Sequence, residues 1–445
     1  MECSKSIQKT VAIIGSGPAG AFAAWALQND GFCVILFEKV CVENHLTLNG
    51  HSYRHEGDVV SIPMRTFSGK YYANFFQVLN HLHIKTQIHR FHFLFMRDSR
   101  QYFQFFSNFH KVIPCLKNGL LLNIFTFLCY IWFTFACFWI SPYIASLDTN
   151  HTKTETLEEY IHRIWLPDVF LGKYLLPLYS SVATCSHDDL RLFPAAYILN
   201  YRKETFAAQH QTVPDMGLLQ DQLTENVEKR FRSEVVSVKS QEYGKVIVQY
   251  RHLDKHSTME SEFDHVILAT NSAVSSKIHE ASSSITKQLR SRLVRVSVHL
   301  QTETETYMAQ KTKPSEILIL NTEKNPQQID ITHSVHLHPS GVSVTVSAEM
   351  NNDVEDQGGA LPLHIVTLAR PLPTPDSHRI LLSVFGEGAK LSTNGWKNGD
   401  GNVYLAGGYA SAGLPLLEAC ARSGLEAAEA IGANLPFALI RKTPF

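Results

Sequence analysis

The sequence predicts an α/β chain, and three stretches of its 445 residues carry that prediction. The first is Thr10 to Ile14, an apolar, β-branched run that leads directly into Gly15-Ser-Gly17-Pro18-Ala19-Gly20. Such a run suits a strand buried on both faces. The second is Phe263 to Thr270, an apolar run ending in small residues, with a shorter strand signal upstream at Ser233 to Val238. The third lies near the C-terminus, where Val403 to Ala406 passes through Gly407-Gly408 to a helix reading, Leu416 to Ile431, opened by Pro415.

The first stretch is the most informative. After the glycine loop, AFAAWALQND reads as a helix that ends at Asp30-Gly31, and Cys33 to Phe37 reads as a second buried strand closed by Glu38. Each loop residue has a physical task. Gly15 permits the tight turn, Gly17 lets the backbone approach a pyrophosphate, and Gly20 lets helix pack close to strand. The helix start at Pro18 and Ala19 offers free N–H groups to phosphate charge. Glu38, about 20 residues beyond the loop, is placed to accept hydrogen bonds from ribose hydroxyls.

Bulk composition narrows the partners. Hydrophobic residues make up 44% and charged residues 18%, so the chain reads as globular. Lys plus Arg number 40 against 41 acids, and no basic block is present, which excludes nucleic acid as an expected partner. The 8 cysteines form no Cys-x-x-Cys pair, so no disulfide framework or zinc site is expected, and a reducing compartment is. The apolar run after Lys9 holds the phosphate loop and is read as mature protein, not as a signal peptide. The lone sequon at Asn150 is read as a chance tripeptide.

Taken in order and at these distances, the three stretches resemble the FAD-dependent amine oxidase and phytoene-desaturase superfamily, within it the branch of NAD/FAD-binding oxidoreductases. The resemblance extends to the segment from Ser61, to VRVSVHLQTE from Val294, and to GLPLLEACARSG near the end. It implies FAD as cofactor, held by a Rossmann-type domain built from residues 1–62, 214–275 and 376–436. An interleaved α+β substrate domain, 63–213 and 276–375, would cover the flavin. It further implies Val235 against the adenine, Gly407 and Gly408 at the ribityl and phosphate groups, and Leu414 to Leu416 under the flavin pyrimidine. Lys39 follows Glu38 at the nucleotide end. Two departures stand out: the family's Gly-Gly pair is absent between Lys39 and Gly50, and Gly408 stands where the family commonly carries an acid. Arg65 is read either as a compensating cation near the pyrophosphate or as an ordinary core-edge arginine.

The substrate side is less legible. Residues 118–147 carry no charge and are rich in aromatics. Three readings are open: a cavity-lining core helix, a monotopic anchor dipping into one leaflet, or a span of about 20 apolar residues. A single crossing would separate the segments that must meet at one FAD site. The first two readings share an expectation of a lipophilic substrate and of a cytoplasmic or membrane-associated protein. Of 22 histidines, His333, His336 and His338 cluster, with His336 and His338 on one strand face, and no metal site is expected. His299, in VRVSVHLQTE, is the expected pocket histidine. The expected chemistry is oxidation or desaturation, with double-bond isomerisation, amine oxidation and a non-catalytic binding role as alternatives.

Overall fold

The computed structural model describes residues 8–39, 52–62, 65–97, 101–107, 120–145, 153–254, 257–311, 316–325, 327–348, 361–385 and 395–441. The stretch that would have held the Gly-Gly pair, most of it after Lys39, lies outside these residues, as does the sequon at Asn150.

The α/β prediction is met by a five-stranded sheet whose strand pairings are all parallel. Strand Thr10–Ile14 runs between Cys33–Phe37 and His265–Leu268, with Val11 opposite Val34 on one side and His265 on the other. Glu228–Arg230 and Val403–Leu405 occupy the edges. The period of two along a strand divides the first strand between two layers. Val11 and Ile13 pack among the helices, whereas Ala12 and Ile14 pack with Val235, Tyr250 and Phe263. Those three belong to an antiparallel three-stranded sheet, Ser233–Ser240, Val246–His252 and Thr258–Phe263. The chain ends meet where helix Pro18–Asn29 crosses the terminal helix Leu417–Ile431. A Cβ on Gly424 would stand 2.3 Å from the Ala19 carbonyl oxygen, so the crossing requires glycine there.

A seven-stranded sheet forms the second layer system. Its order is His364–Pro371, Ser291–Leu300, Val342–Ser347, Asp330–Leu337, Glu316–Lys324, Phe91–Arg97 and Gln101–Ser107. The join between its N-terminal and C-terminal parts is parallel, with Leu318 opposite Phe93. One face packs Val296, Val298, Val344 and Val346 against Val60 and Ile62.

Helices cover the rest. The sequence Thr156-Leu-Glu-Glu159 has the spacing of a helix-opening capping box, and the structure forms it: the Thr156 hydroxyl accepts from the Glu159 N–H at 3.2 Å and Glu159 accepts from the Thr156 N–H at 2.9 Å. The uncharged stretch forms one helix, Leu120–Trp139. Its inner side is built into the protein through Cys129, Phe133, Ala136 and Cys137, all buried. Tyr160 donates to the Ala136 carbonyl at 3.1 Å or to that of Ile140 at 2.9 Å, and Trp132 Nε1–H to Ile164 at 2.8 Å. Its outer side carries Leu121, Ile124, Leu128, Ile131, Phe135 and Trp139, all exposed. That spacing is one helical stripe. Among the described residues no helix is long and apolar enough to cross a membrane.

The chain leaving this helix is anchored by an ion pair. Glu155 is 5% exposed and receives Arg163 Nε at 2.6 Å, Arg163 Nη2 at 2.8 Å and the Tyr143 N–H at 3.1 Å. Glu155→Ala leaves the Arg163 guanidinium without its carboxylate and is expected to cost about 3 kcal/mol. Thermal or urea unfolding of the variant reads that loss directly.

Candidate functional site

The glycine loop has the geometry its sequence implies. Gly15 sits at φ +103°, and its Cβ position is already blocked by the Ala269 carbonyl oxygen at 2.8 Å. A Cβ on Gly20 would fall 2.1 Å from the Gly15 oxygen. Gly17 differs: nothing lies within 4 Å of its Cβ position. That open face stands at the start of helix Pro18–Asn29, whose N-terminus has no side-chain cap. Uncapped N–H groups and the helix dipole favour an anion there. Glu38 is buried at the end of the second strand, and its carboxylate accepts from the Ser16 N–H at 2.9 Å and hydroxyl at 2.6 Å. Loop and acid are thus locked together on the nucleotide side.

The remaining expected residues separate by position. Val235 is buried against Phe37 and Tyr250, on the strand whose Ser233 N–H donates to the Glu38 carbonyl. Gly407, at φ +149°, exchanges hydrogen bonds with the Ser423 hydroxyl. A Cβ on Gly408 would meet Cys420 Sγ at 3.5 Å and Pro415 at 3.6 Å, ordinary contacts, so no backbone constraint excludes a side chain there. Leu416 caps the terminal helix without a side-chain bond, whereas Leu414 is fully buried. Lys39 turns outward to Glu234 at 2.6 Å, an exposed pair shared with Arg251.

A cavity of about 510 Å³ brings together Gly17, Pro18, Arg65 and Leu416 of the expected residues, whereas Glu38, Lys39, Val235, Gly407, Gly408 and Leu414 are not in its wall. It begins at Gly17 and Pro18, passes Arg65, Arg370, Leu416 and Cys420, and ends among Phe93, Phe95, Tyr174 and Leu178. Its far wall includes Phe127 and Tyr130 of the uncharged helix. None of the described residues lining it is acidic, whereas Arg65, Arg202 and Arg370 all do. Arg65 is half-buried by accessible surface, and desolvation together with the charge of Arg370 lowers its pKa to about 10. Burial likewise lowers Arg370. Two neighbouring, partly desolvated guanidiniums beside a helix N-terminus form a receptacle for negative charge. Cys420 is held as a neutral thiol, its pKa raised to about 11 by burial.

His299 does not reach this cavity. It pairs with Ser343 and shares a face with Ser297, whose hydroxyl lies 3.0 Å from its Nε2. The neighbours on the opposite face, Val296 and Val298, are the ones packed inward. The cavity histidine on this sheet is His336, from the cluster noted in sequence. Arg370, Tyr174 and Phe93 were not singled out in sequence, since nothing local distinguishes them from core residues.

Comparison with known proteins agrees with this geometry. A family model described as an NAD(P)-binding Rossmann-like domain matches residues 13–82. A search of curated proteins gave no match. Among solved structures, cyclohexylamine oxidase from Brevibacterium oxydans is similar over 95% of this chain and 98% of its own, with TM-score 0.59 and 12% identity. Putrescine oxidase bound to putrescine is similar over 96% of this chain and 100% of its own, with TM-score 0.59 and 13% identity. The loop and the matched segment are those of a dinucleotide-binding Rossmann-like domain, and the likenesses to solved structures are likenesses of fold. The chain therefore has the two-domain fold of the amine oxidases, built on an N-terminal NAD(P)-binding Rossmann-like domain.

Proposed function

We propose that this chain is an FAD-dependent oxidoreductase that oxidises or desaturates a lipophilic small molecule by hydride transfer to flavin N5, collecting that molecule at a membrane surface. One observation carries the reading: a single cavity runs from the phosphate loop to Phe127, which is itself exposed on the uncharged helix. Bound FAD would supply the hydride acceptor. The protein's part is to hold and shield. Gly17 and the following helix N-terminus hold phosphate, Arg65 and Arg370 balance negative charge, and the terminal helix starting after Leu416 directs its positive end into the cavity. Phe93, Phe95 and Tyr174 exclude water and grip apolar carbon.

The same lining argues against an amine as substrate. A protonated amine would meet arginines and no carboxylate among the described lining residues, an unfavourable desolvation. A neutral or acidic lipophile meets no such penalty.

The decisive measurement is the visible spectrum of protein purified in mild detergent, with the heat-released cofactor identified. Flavin bands and released FAD are expected, followed by bleaching when apolar unsaturated or oxidisable compounds are added anaerobically. A colourless protein that takes up no added FAD would end this reading. Turnover that shifts a double bond while the flavin stays oxidised would replace it with an isomerase.

A further inference from the structure

At one end of the seven-stranded sheet, on the face that walls the cavity, two strand side chains and one from the connector into a third strand converge. Leu318 stands opposite His336, and Glu316 lies two residues before Leu318, so all three share a face. His89 arrives from the connector that leads into the adjoining strand, two residues before Phe91, which pairs with Glu316. Glu316 Oε2 lies 3.6 Å from His89 Nε2 and is in hydrogen-bond contact with His336 Nε2. Ligand-capable atoms of all three lie within 4.8 Å of one another. His336 is buried and lines the cavity.

Glu316 is half-buried. Burial works against the Glu316 charge, yet its pKa is lowered, and the groups that lower it are His336, His89 and His338. No lysine or arginine is among them. A half-buried carboxylate in contact with two imidazoles, those of His89 and His336, offers a ligand set for a shared cation. His338 is already committed elsewhere: its Nδ1 accepts from the Ser340 N–H at 3.2 Å and lies 2.7 Å from the Ser340 hydroxyl. That leaves its Nε2 carrying the ring proton, unable to ligate.

We propose that His89, Glu316 and His336 form a divalent-metal site of the two-histidine, one-carboxylate type, with its open positions turned to the cavity. Nitrogen and carboxylate ligands at about 2.0–2.2 Å suit zinc, and the same triad with open positions suits ferrous iron. The open positions accept an oxygen donor, either water or the polar end of a cavity occupant. The site stands apart from FAD binding, and metal content can be read whether or not flavin is bound.

Untagged protein, stripped with chelator, is equilibrated with Zn²⁺ or, anaerobically, with Fe²⁺, then gel-filtered and assayed for metal. Wild type is expected to retain about one ion per chain. His89→Ala, Glu316→Gln and His336→Ala are each expected to weaken retention about tenfold or more. His299→Ala, on the other face, is expected to retain it. Co²⁺ loaded into wild type is expected to give visible ligand-field bands, a reading that needs no variant to fold. Wild type that retains neither Zn²⁺ nor Fe²⁺ overturns the site. So does metal binding that survives all three ligand substitutions, or that falls equally in His299→Ala.

Discussion

Gly20→Val is expected to yield a protein without flavin and with a badly weakened fold. The Cβ it adds would stand 2.1 Å from the Gly15 carbonyl oxygen and 3.3 Å from Ala269 Cβ. The first of those neighbours is backbone, held in the turn between strand and helix, and cannot rotate away. Overpacking of this kind costs about 3 kcal/mol or more, and it displaces the loop that faces the phosphate. Gly17→Ala provides the contrast. Its Cβ meets nothing within 4 Å, so unfolding temperature should match wild type. FAD affinity should nonetheless fall about tenfold or more, because the added methyl occupies the approach of the pyrophosphate. Thermal denaturation of the apoproteins and flavin content after dialysis read the two effects separately. Gly17→Ala retaining FAD like wild type would remove this loop from the phosphate site.

Replacing Leu128, Ile131 and Phe135 together by glutamate is expected to abolish binding to neutral phosphatidylcholine vesicles while leaving the fold and flavin intact. These side chains are 59%, 48% and 48% exposed, on the outer stripe of helix Leu120–Trp139. Burying an apolar side chain of this size is worth about 1.5–3 kcal/mol. Losing three of them, and adding three charges, should lower partitioning at least about a hundredfold. Lipid is favoured over a protein partner because residues 118–147 contain no charge at all. At one end stand Trp132, Trp139 and Tyr143, all exposed, with Trp132, Phe135 and Trp139 stacked in sequence. Tryptophan and tyrosine settle at the headgroup level of a bilayer. Vesicle co-sedimentation measures the effect. Unchanged sedimentation rejects the membrane surface, and a concentration-dependent dimer in lipid-free buffer would assign the stripe to a second copy.

How far the sequence could be read differed sharply between the two sides of the molecule. The phosphate loop was legible because its constraints are local. Gly15, Gly17 and Gly20 act within one turn, and strand, loop, helix and acid follow in about 30 residues. The capping box at Thr156 and Glu159 was legible for the same reason. Gly424 carries an equally strict constraint, yet nothing near it in sequence announces Ala19, about 400 residues away.

His299 shows where alternation stops being informative. A period of two divides strand residues into two faces but does not say which face is inward. That choice was made by Val60 and Ile62, which pack against Val296 and Val298 and leave His299 on the other side. Arg65 was an open question in sequence for a related reason. Its neighbour Arg370 comes from a distant strand, and only their meeting in the cavity wall identifies both as charge-bearing cavity residues.

By itself the sequence determined the α/β class and the nucleotide loop, since each rests on short-range periodicity and turn chemistry, whereas the convergence of three distant segments on one sheet was what the family resemblance implied. The tertiary structure alone decided the cavity and its aromatic wall, the inward histidine, the meeting of His89, Glu316 and His336, and which side of the uncharged helix stays exposed. Those features are set by register between strands and by packing across long stretches of chain, and such contacts leave no period in the sequence to read.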